Sequence, residues 1–325
     1  MTGTQISRRE LIRTATVFGG SAVLAHLVPA SIGRAYALVQ QAAAPADPLA
    51  ATRAQMAAAP IEALRLSDTL TMLSGPGGNV IVLNGPDGKI VVDTFVQGVW
   101  PALKQRLDAM SNAPIALVID THWHFDHTDN NETFRNAGAG ILAHENTRKR
   151  LSEPHDLLGM HFNPASAAAR PTDTFTQTRT MQANGERIDL GYIQPAHTDT
   201  DIYVHYTRAN VLHLGDVFFN GMYPFIDAST GGSINGMIAG AEQSLKIANA
   251  TTKIVPGHGP LGDRATLATY RDVLVDVRGR IRTLKDAGRT VEQTVAAKPT
   301  ADLDAVWGKG FMQPDVFVAI VYGTL

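Results

Sequence analysis

The chain has 325 residues, 44% hydrophobic and 18% charged, with a formal net charge of −2 and no cysteine. That is ordinary globular composition, enough for one large domain or two small ones, and it offers no basic face for nucleic acid. Without cysteine there is no disulfide, no thiol nucleophile and no thiolate ligand, so any metal must be held by nitrogen and oxygen.

The first segment, "SRRELIRTA", carries Arg8 and Arg9; a modestly apolar stretch runs from about Thr14 to Pro29, and Ala35-Tyr36-Ala37 follows as a small-x-small site. A basic start, a short apolar run and a cleavage site read as an export signal over residues 1–37. The paired arginines resemble a twin-arginine signal. The alternatives are a membrane anchor or a short surface helix with a tail. The apolar run is short and interrupted by two glycines, His26 and Pro29, which suits a span of about 20 residues poorly. The expectation is delivery to the twin-arginine translocation machinery, no permanent membrane anchor, and a periplasmic or secreted mature protein. Its loss of Arg8, Arg9, Arg13 and Arg34 against Glu10 brings the net charge to −5.

Residues 38–60 are rich in Ala and Pro, and 38–65 is expected to be a linker or a partly helical lead-in. From residue 66 to 325 the pattern reads as one domain. "LTMLSG", "NVIVLNG" and "KIVVDTF" are apolar runs separated by Gly-Pro turns, the signature of a strand meander. "VWPALKQRLDAMS" has helical spacing at Val99, Leu103, Leu107 and Met110. "APIALVID" is a buried strand, followed by a helix near 129–137, the strand "GILAH" and the helix "ENTRKRLS". Residues 153–172 look loop-like. "TFTQTRTM", "ERIDLGYI", "DIYVHYT" and "NVLHLGD" read as strands, and a Gly-rich loop leads into a helix near 234–249. "TKIVPGHG" is a last core strand and its loop. Leu267, Tyr270, Leu274, Val277, Ile281 and Leu284 mark one side of a helix from Arg264 to Lys285. "PDVFVAIVYGTL" closes the chain as a helix or strand over the core. A meander followed by alternating helices and strands is an α/β layered architecture, with two sheets between outer helices.

The chemistry concentrates in "THWHFDHTDN", residues 121–130. His122 and His124 are one residue apart, so in an extended segment both point to one side and reach one ion. Asp126 and His127 must turn elsewhere, toward a second. A solvated turn, or a helix capped by Asp126 or Thr128, would explain the segment alone. Three later segments change the balance: "QPAHTDTD" places His197 just before a strand, "VLHLGDVFF" ends a strand on Asp216, and "IVPGHGP" puts His258 in a Gly-rich turn. Each polar residue sits where a buried strand meets a loop, which is where α/β proteins build sites.

His122-x-His124-x-Asp126-His127, followed in order by His197, Asp216 and His258, resembles the metallo-β-lactamase superfamily over roughly residues 66–260. The resemblance implies an αββα sandwich with a two-metal site at one edge. His122, His124 and His197 would bind the first metal, Asp126, His127 and His258 the second, and Asp216 would bridge them. Two Zn²⁺ are the expected cofactors; iron or manganese would suit the same nitrogen and oxygen ligands. Such a pair generates hydroxide near neutral pH, and Asp126 could relay the leaving group's proton. The bridging aspartate is the pattern of glyoxalase II-like hydrolases, lactonases and RNA-processing nucleases rather than of the β-lactamases themselves. Ala196 stands where the family often has Gly.

Asp93 and Asp201 are candidates to accept the outer N–H of ligand histidines, with Thr121 and Thr198 behind them; Asp93 could equally cap a turn or helix. His205 and His213 read as strand residues. His144 could face substrate or cap the following helix, and His155 and His161 could line a pocket or be solvated. Trp123 and Phe125 are expected to pack below the loop, and Met222, Tyr223, Pro224 and Phe225 to form either an apolar substrate wall or a core turn. The expected function is hydrolysis of a small ester, lactone, thioester or amide. The alternatives are a mononuclear iron persulfide dioxygenase, a phosphodiesterase or nuclease, and a metal-storing protein. The partner is a small molecule, not nucleic acid, and the sequence is silent on oligomeric state.

Overall fold

The computed structural model describes residues 47–325. The export signal expected at 1–37 lies outside the described residues. Helix α1 (Pro48–Ala57) begins behind Asp47, whose side chain accepts from the Ala50 N–H at 2.9 Å. The first sheet then starts at β1 (Glu62–Arg65), inside the segment expected to be a linker. β1 pairs along its whole length with β2 (Leu70–Ser74), so the end of that segment belongs to the domain.

The meander continues through β3 (Asn79–Leu83) and β4 (Lys89–Val92) as antiparallel neighbours. Helix α2 (Trp100–Met110) crosses over to β5 (Ile115–Ile119), parallel to β4. After the helical turn α3 (Phe125–Thr128) and helix α4 (Asn131–Asn136), β6 (Gly140–His144) adds a third parallel strand. Helix α5 (Glu145–Arg150) leads into the region expected to be a loop, where β7 (His155–Leu157) and β8 (Met160–Phe162) form a hairpin. Its many Pro and Ala residues hide three-residue strands too short to show a period.

"TFTQTRTM" also differs from its reading as one strand. β9 (Asp173–Phe175) closes the first sheet beside β6, whereas β10 (Thr178–Ala183) opens the second. The second sheet runs β10, β11 (Glu186–Tyr192), β12 (Ile202–Tyr206) and β13 (Val211–His213) antiparallel. Helix α6 (Ile234–Ile247) then crosses to β14 (Lys253–Val255), parallel to β13. Helix α7 (Arg264–Asp286) starts at a reciprocal cap between Asp263 and Thr266, a device worth about 1 kcal/mol. Three more helices end the chain: α8 (Val291–Ala296), α9 (Asp304–Trp307) and α10 (Pro314–Gly323).

Alternation along the strands sets the layers. Leu70, Met72, Ile81, Leu83, Ile90 and Val92 face inward against Ile188, Leu190, Ile202 and Val204 of the second sheet. The intervening Leu73, Val80, Val82 and Val91 face outward under Leu103 and Leu107 of α2 and Phe134 of α4. Leu212 and Ile254 of the second sheet pack under α6, α7 and α10 through Met237, Leu274 and Phe317. With both faces covered, the central strands are continuous apolar runs. The result is a four-layer αββα sandwich. Among the described residues, no helix is long and apolar enough to cross a membrane.

Candidate metal centre

Every site segment leaves the same edge of the sandwich. β5 ends at Ile119, and the chain runs extended to His124 (φ −63°, ψ 149°) before coiling into α3. The extended part aims His122 and His124 one way; the helical turn sends Asp126 and His127 another. Asp216 sits in a single 3₁₀ turn (Gly215–Val217) just beyond β13, and His258 lies three residues past β14. All seven side chains foreseen from the motifs come together, in two groups whose ligand atoms lie within 4.8 Å of one another.

In the first group His124 Nδ1 and His197 Nε2 are 2.8 Å apart, and Asp216 Oδ2 lies 3.5 Å from His197 Nε2 and 4.0 Å from His122 Nε2. In the second, Asp126 Oδ2 is 3.2 Å from His258 Nε2 and 3.5 Å from His127 Nε2. Asp216 belongs to both: Oδ1 is 3.2 Å from His127 Nε2, and Oδ2 is 3.3 Å from His258 Nε2.

The donor set fits a cation. His122 Nε2, His127 Nε2 and Asp216 Oδ1 are buried with no hydrogen-bond partner, a condition that costs about 1–3 kcal/mol per atom unless something fills the gap. The outer nitrogens are tied to oxygen. His127 Nδ1–H donates to Asp93 at 2.8 Å, His197 Nδ1–H to the Phe225 carbonyl at 2.8 Å, and His124 Nε2–H to Asp227 at 3.2 Å. His122 Nδ1 lies 3.0 Å from Thr121 Oγ1, which in turn donates to Asp93 at 2.8 Å. Such bonds fix each tautomer and leave the other nitrogen's lone pair for a metal.

The charges answer one another. Burial pushes the His197 imidazole down to about 4 and lowers His122 well below its usual value. Burial also works against charge at His258, but Asp216 and the hydrogen bond to Asp126 overcome it and hold the ring up at about 9. Burial would raise Asp216, yet the facing His258 and His127 keep it well below the usual carboxylate range. Without a cation, His258 therefore keeps a proton where a metal would sit.

Asp93 is not a cap. It stands at a left-handed φ of 65° and gathers the Thr121 N–H, the Thr121 hydroxyl and the His127 ring on one carboxylate. A non-glycine residue in that region costs on the order of 1 kcal/mol or more, and the three bonds hold it there. Asp201 accepts from the backbone N–H groups of His197 and Thr198 and from the Thr198 hydroxyl. It shapes the turn, and the Phe225 carbonyl takes the ring proton instead. Burial pushes Asp201 up to about 7. Asp227 and the Phe225 carbonyl escaped sequence reasoning; "DAST" signals only the local cap from Asp227 to the Ser229 N–H.

Two glycines pave the site. A Cβ on Gly78 would stand 2.2 Å from His127 Cε1, and one on Gly257 would stand 1.9 Å from Asp216 Oδ1. Among the histidines outside the cluster, His144 caps α5, donates to or accepts from nothing in the centre, and stacks on Tyr192. His213 is buried against the Asn79 carbonyl, His205 is a β12 strand residue, and His161 is exposed beside Asp156. His155 lines a cavity of about 200 Å³ with Trp123, Phe125, Phe162, Arg53 and Arg150, on the flank of the motif loop. Tyr223 belongs to the core against Phe317, while Phe225 faces the His124 and His197 rings at 5.8 and 5.7 Å.

The sequence profile of the Metallo-beta-lactamase superfamily matches residues 73–263. No curated protein matches the chain at the level of sequence. Among solved structures, a metallo-beta-lactamase from Pontibacter korlensis aligns at 16% identity and a TM-score of 0.54, covering 66% of this chain and 99% of its own. The metallo-beta-lactamase IND-7 aligns at 18% and 0.56, covering 67% and 98%. The stereoselective inverting sec-alkylsulfatase Pisa1 from Pseudomonas sp. aligns at 16% and 0.64, covering 97% of this chain and 59% of its own. At these identities the likeness is one of fold.

Proposed function

The chain belongs to the metallo-beta-lactamase superfamily, and we propose that it is a two-zinc hydrolase of a small ester, lactone, thioester or amide. The observation that carries this reading is the position of Asp216, one carboxylate within 3.3 Å of His127 and His258 and 3.5 Å of His197. His122, His124 and His197 would hold one ion, and Asp126, His127 and His258 the other, with Asp216 shared. When bound, such ions make water acidic enough to serve as a nucleophile and polarise the oxygen that gains negative charge.

The protein supplies the rest. Asp93, Thr121, Asp227 and the Phe225 carbonyl orient four imidazoles before anything binds. Phe225 keeps water off the first group, which strengthens every electrostatic contact there. Asp126 is the residue proposed to hold the proton passed to the leaving group, because its side chain, 10% accessible, is after His258 the most accessible of the seven ligands. Delivery to the periplasm by the twin-arginine route is part of the same proposal, resting on the first 37 residues.

The test is a panel of aryl esters, lactones, thioesters, nitrocefin, an alkyl sulfate ester and a phosphodiester, run on protein stripped by chelator and reloaded with zinc, manganese or iron. Acyl hydrolysis restored by zinc and lost in Asp216→Ala is the expected result. Undiminished turnover in stripped protein, or oxygen uptake on a persulfide with iron as the sole activity, overturns the proposal.

A further inference from the structure

His258 is the most exposed of the seven ligands, its side chain 14% accessible, so solvent reaches the cluster on its side. Two phenylalanines frame that approach. Phe219 is buried and lies flat against the His258 ring at 5.2 Å and 11°. Phe311 meets the same ring at 5.9 Å and Phe219 at 6.1 Å, yet it remains 39% exposed.

That exposure is built into the fold. Phe311 stands between α9 and α10; Trp307, four residues before it, and Met312, directly after it, are buried. The Tyr223 N–H donates to the Trp307 carbonyl at 2.8 Å, and the Tyr223 hydroxyl donates to Asp304 at 2.9 Å. Met222 sits so close to Gly310 that a Cβ there would approach within 2.8 Å of its own Cβ. The segment is thus stapled to the loop that bears Phe225, and within it one large apolar ring is held outward beside the ligand nearest to solvent. Apolar area facing a wet mouth gains by covering, and the group that can cover it is the one that enters.

We propose that Phe311, which lies beyond the stretch 73–263 matched by the superfamily profile, is the specificity-determining wall of this site, and that the substrate carries an alkyl or aryl group next to the bond that is cleaved. The proposal rests on the hydrolase reading above and narrows its substrate class. Phe225 bounds the side of His124 and His197, and Phe311 the side of His258, so a short polar substrate would leave Phe311 uncovered.

The experiment is calorimetric titration of the protein as purified, with its bound metal, using acetate, butyrate, hexanoate and octanoate, for wild type, Phe311→Ala and Phe311→Leu. Wild type should bind octanoate at least tenfold more tightly than acetate, since each buried methylene contributes severalfold. Phe311→Ala should reduce that ratio to about twofold by weakening octanoate binding, and Phe311→Leu should restore most of it. A wild type indifferent to chain length, or a Phe311→Ala protein that keeps the full ratio, overturns the proposal. Because the readout is binding, an inert ester panel with intact chain-length dependence would sink the hydrolase reading while leaving the wall in place.

Discussion

The carboxylate of Asp227 lies 3.2 Å from His124 Nε2, across 103 residues of chain. The same carboxylate accepts from the hydroxyls of Ser229 and Thr230. Burial alone would raise its pKa, but the His124 bond and charge pull it to about 2. Asp227 therefore stays ionised and holds His124 with Nδ1 turned toward His197. Asp227→Asn removes the charge at constant size and should weaken zinc binding about 10–100-fold, with little change in melting temperature. Competition with a fluorescent chelator measures it; unchanged affinity would show that the bond does not orient the ligand.

Gly78 has no room for a side chain, since its Cβ would fall 2.2 Å from a His127 ring that Asp93 already fixes. Gly78→Ala must displace that ring or the turn before β3, at about 1–3 kcal/mol. The ion at Asp126, His127 and His258 should be lost while the one at His122, His124 and His197 is kept. Metal analysis of the purified variant checks this, and two ions at wild-type affinity would refute the packing argument.

His258 gives the metal-free protein a pH dependence of definite sign. Its folded pKa of about 9 lies above the ordinary 6.5, so it contributes stability that is full below about pH 6.5 and disappears as pH rises through 9. The loss should be on the order of 2–3 kcal/mol. Metal uptake runs the other way: the incoming ion must expel this proton, so zinc affinity should climb with pH up to about 9. Urea melts of stripped protein at pH 6 and pH 9.5, beside zinc titrations at the same values, test both signs. Equal stability at the two values would contradict the charge arrangement.

Arg53 of α1 forms a paired bond with Asp129, with Nε to Oδ2 at 2.6 Å, immediately after the ligand-bearing turn. Burial pushes the Asp129 pKa up even with Arg53 beside it. Arg53→Ala leaves a buried carboxylate unpaired and should destabilise the fold by about 2–4 kcal/mol at pH 8. Because that carboxylate would then take up a proton more readily, the deficit should shrink toward pH 5. Denaturant midpoints at the two pH values measure it; a deficit independent of pH would assign the loss to packing alone.

The meander, the two crossover helices and the seven clustered side chains were legible because each rests on a local pattern. Strands buried on both faces read as apolar runs, α7 shows its stripe, and ligands sit at strand ends. What was not legible depends on contacts far apart in the chain. β7 and β8 are too short for periodicity, and β9 and β10 differ in the sheet they join, not in composition. Asp227 meets His124 only in the folded protein, and Asp201 reads like a ring partner until the Phe225 carbonyl takes the place. Phe311 carries no motif; its role follows from the burial of Trp307 and Met312 around it.

The account stands on one carboxylate serving two ions, and the direct measurement is zinc stoichiometry and affinity for wild type, His122→Ala, His258→Ala and Asp216→Ala. Wild type should take up two zinc ions per chain, each histidine variant should retain one, and Asp216→Ala should bind both weakly. A single zinc in wild type, or two held tightly without Asp216, would contradict it.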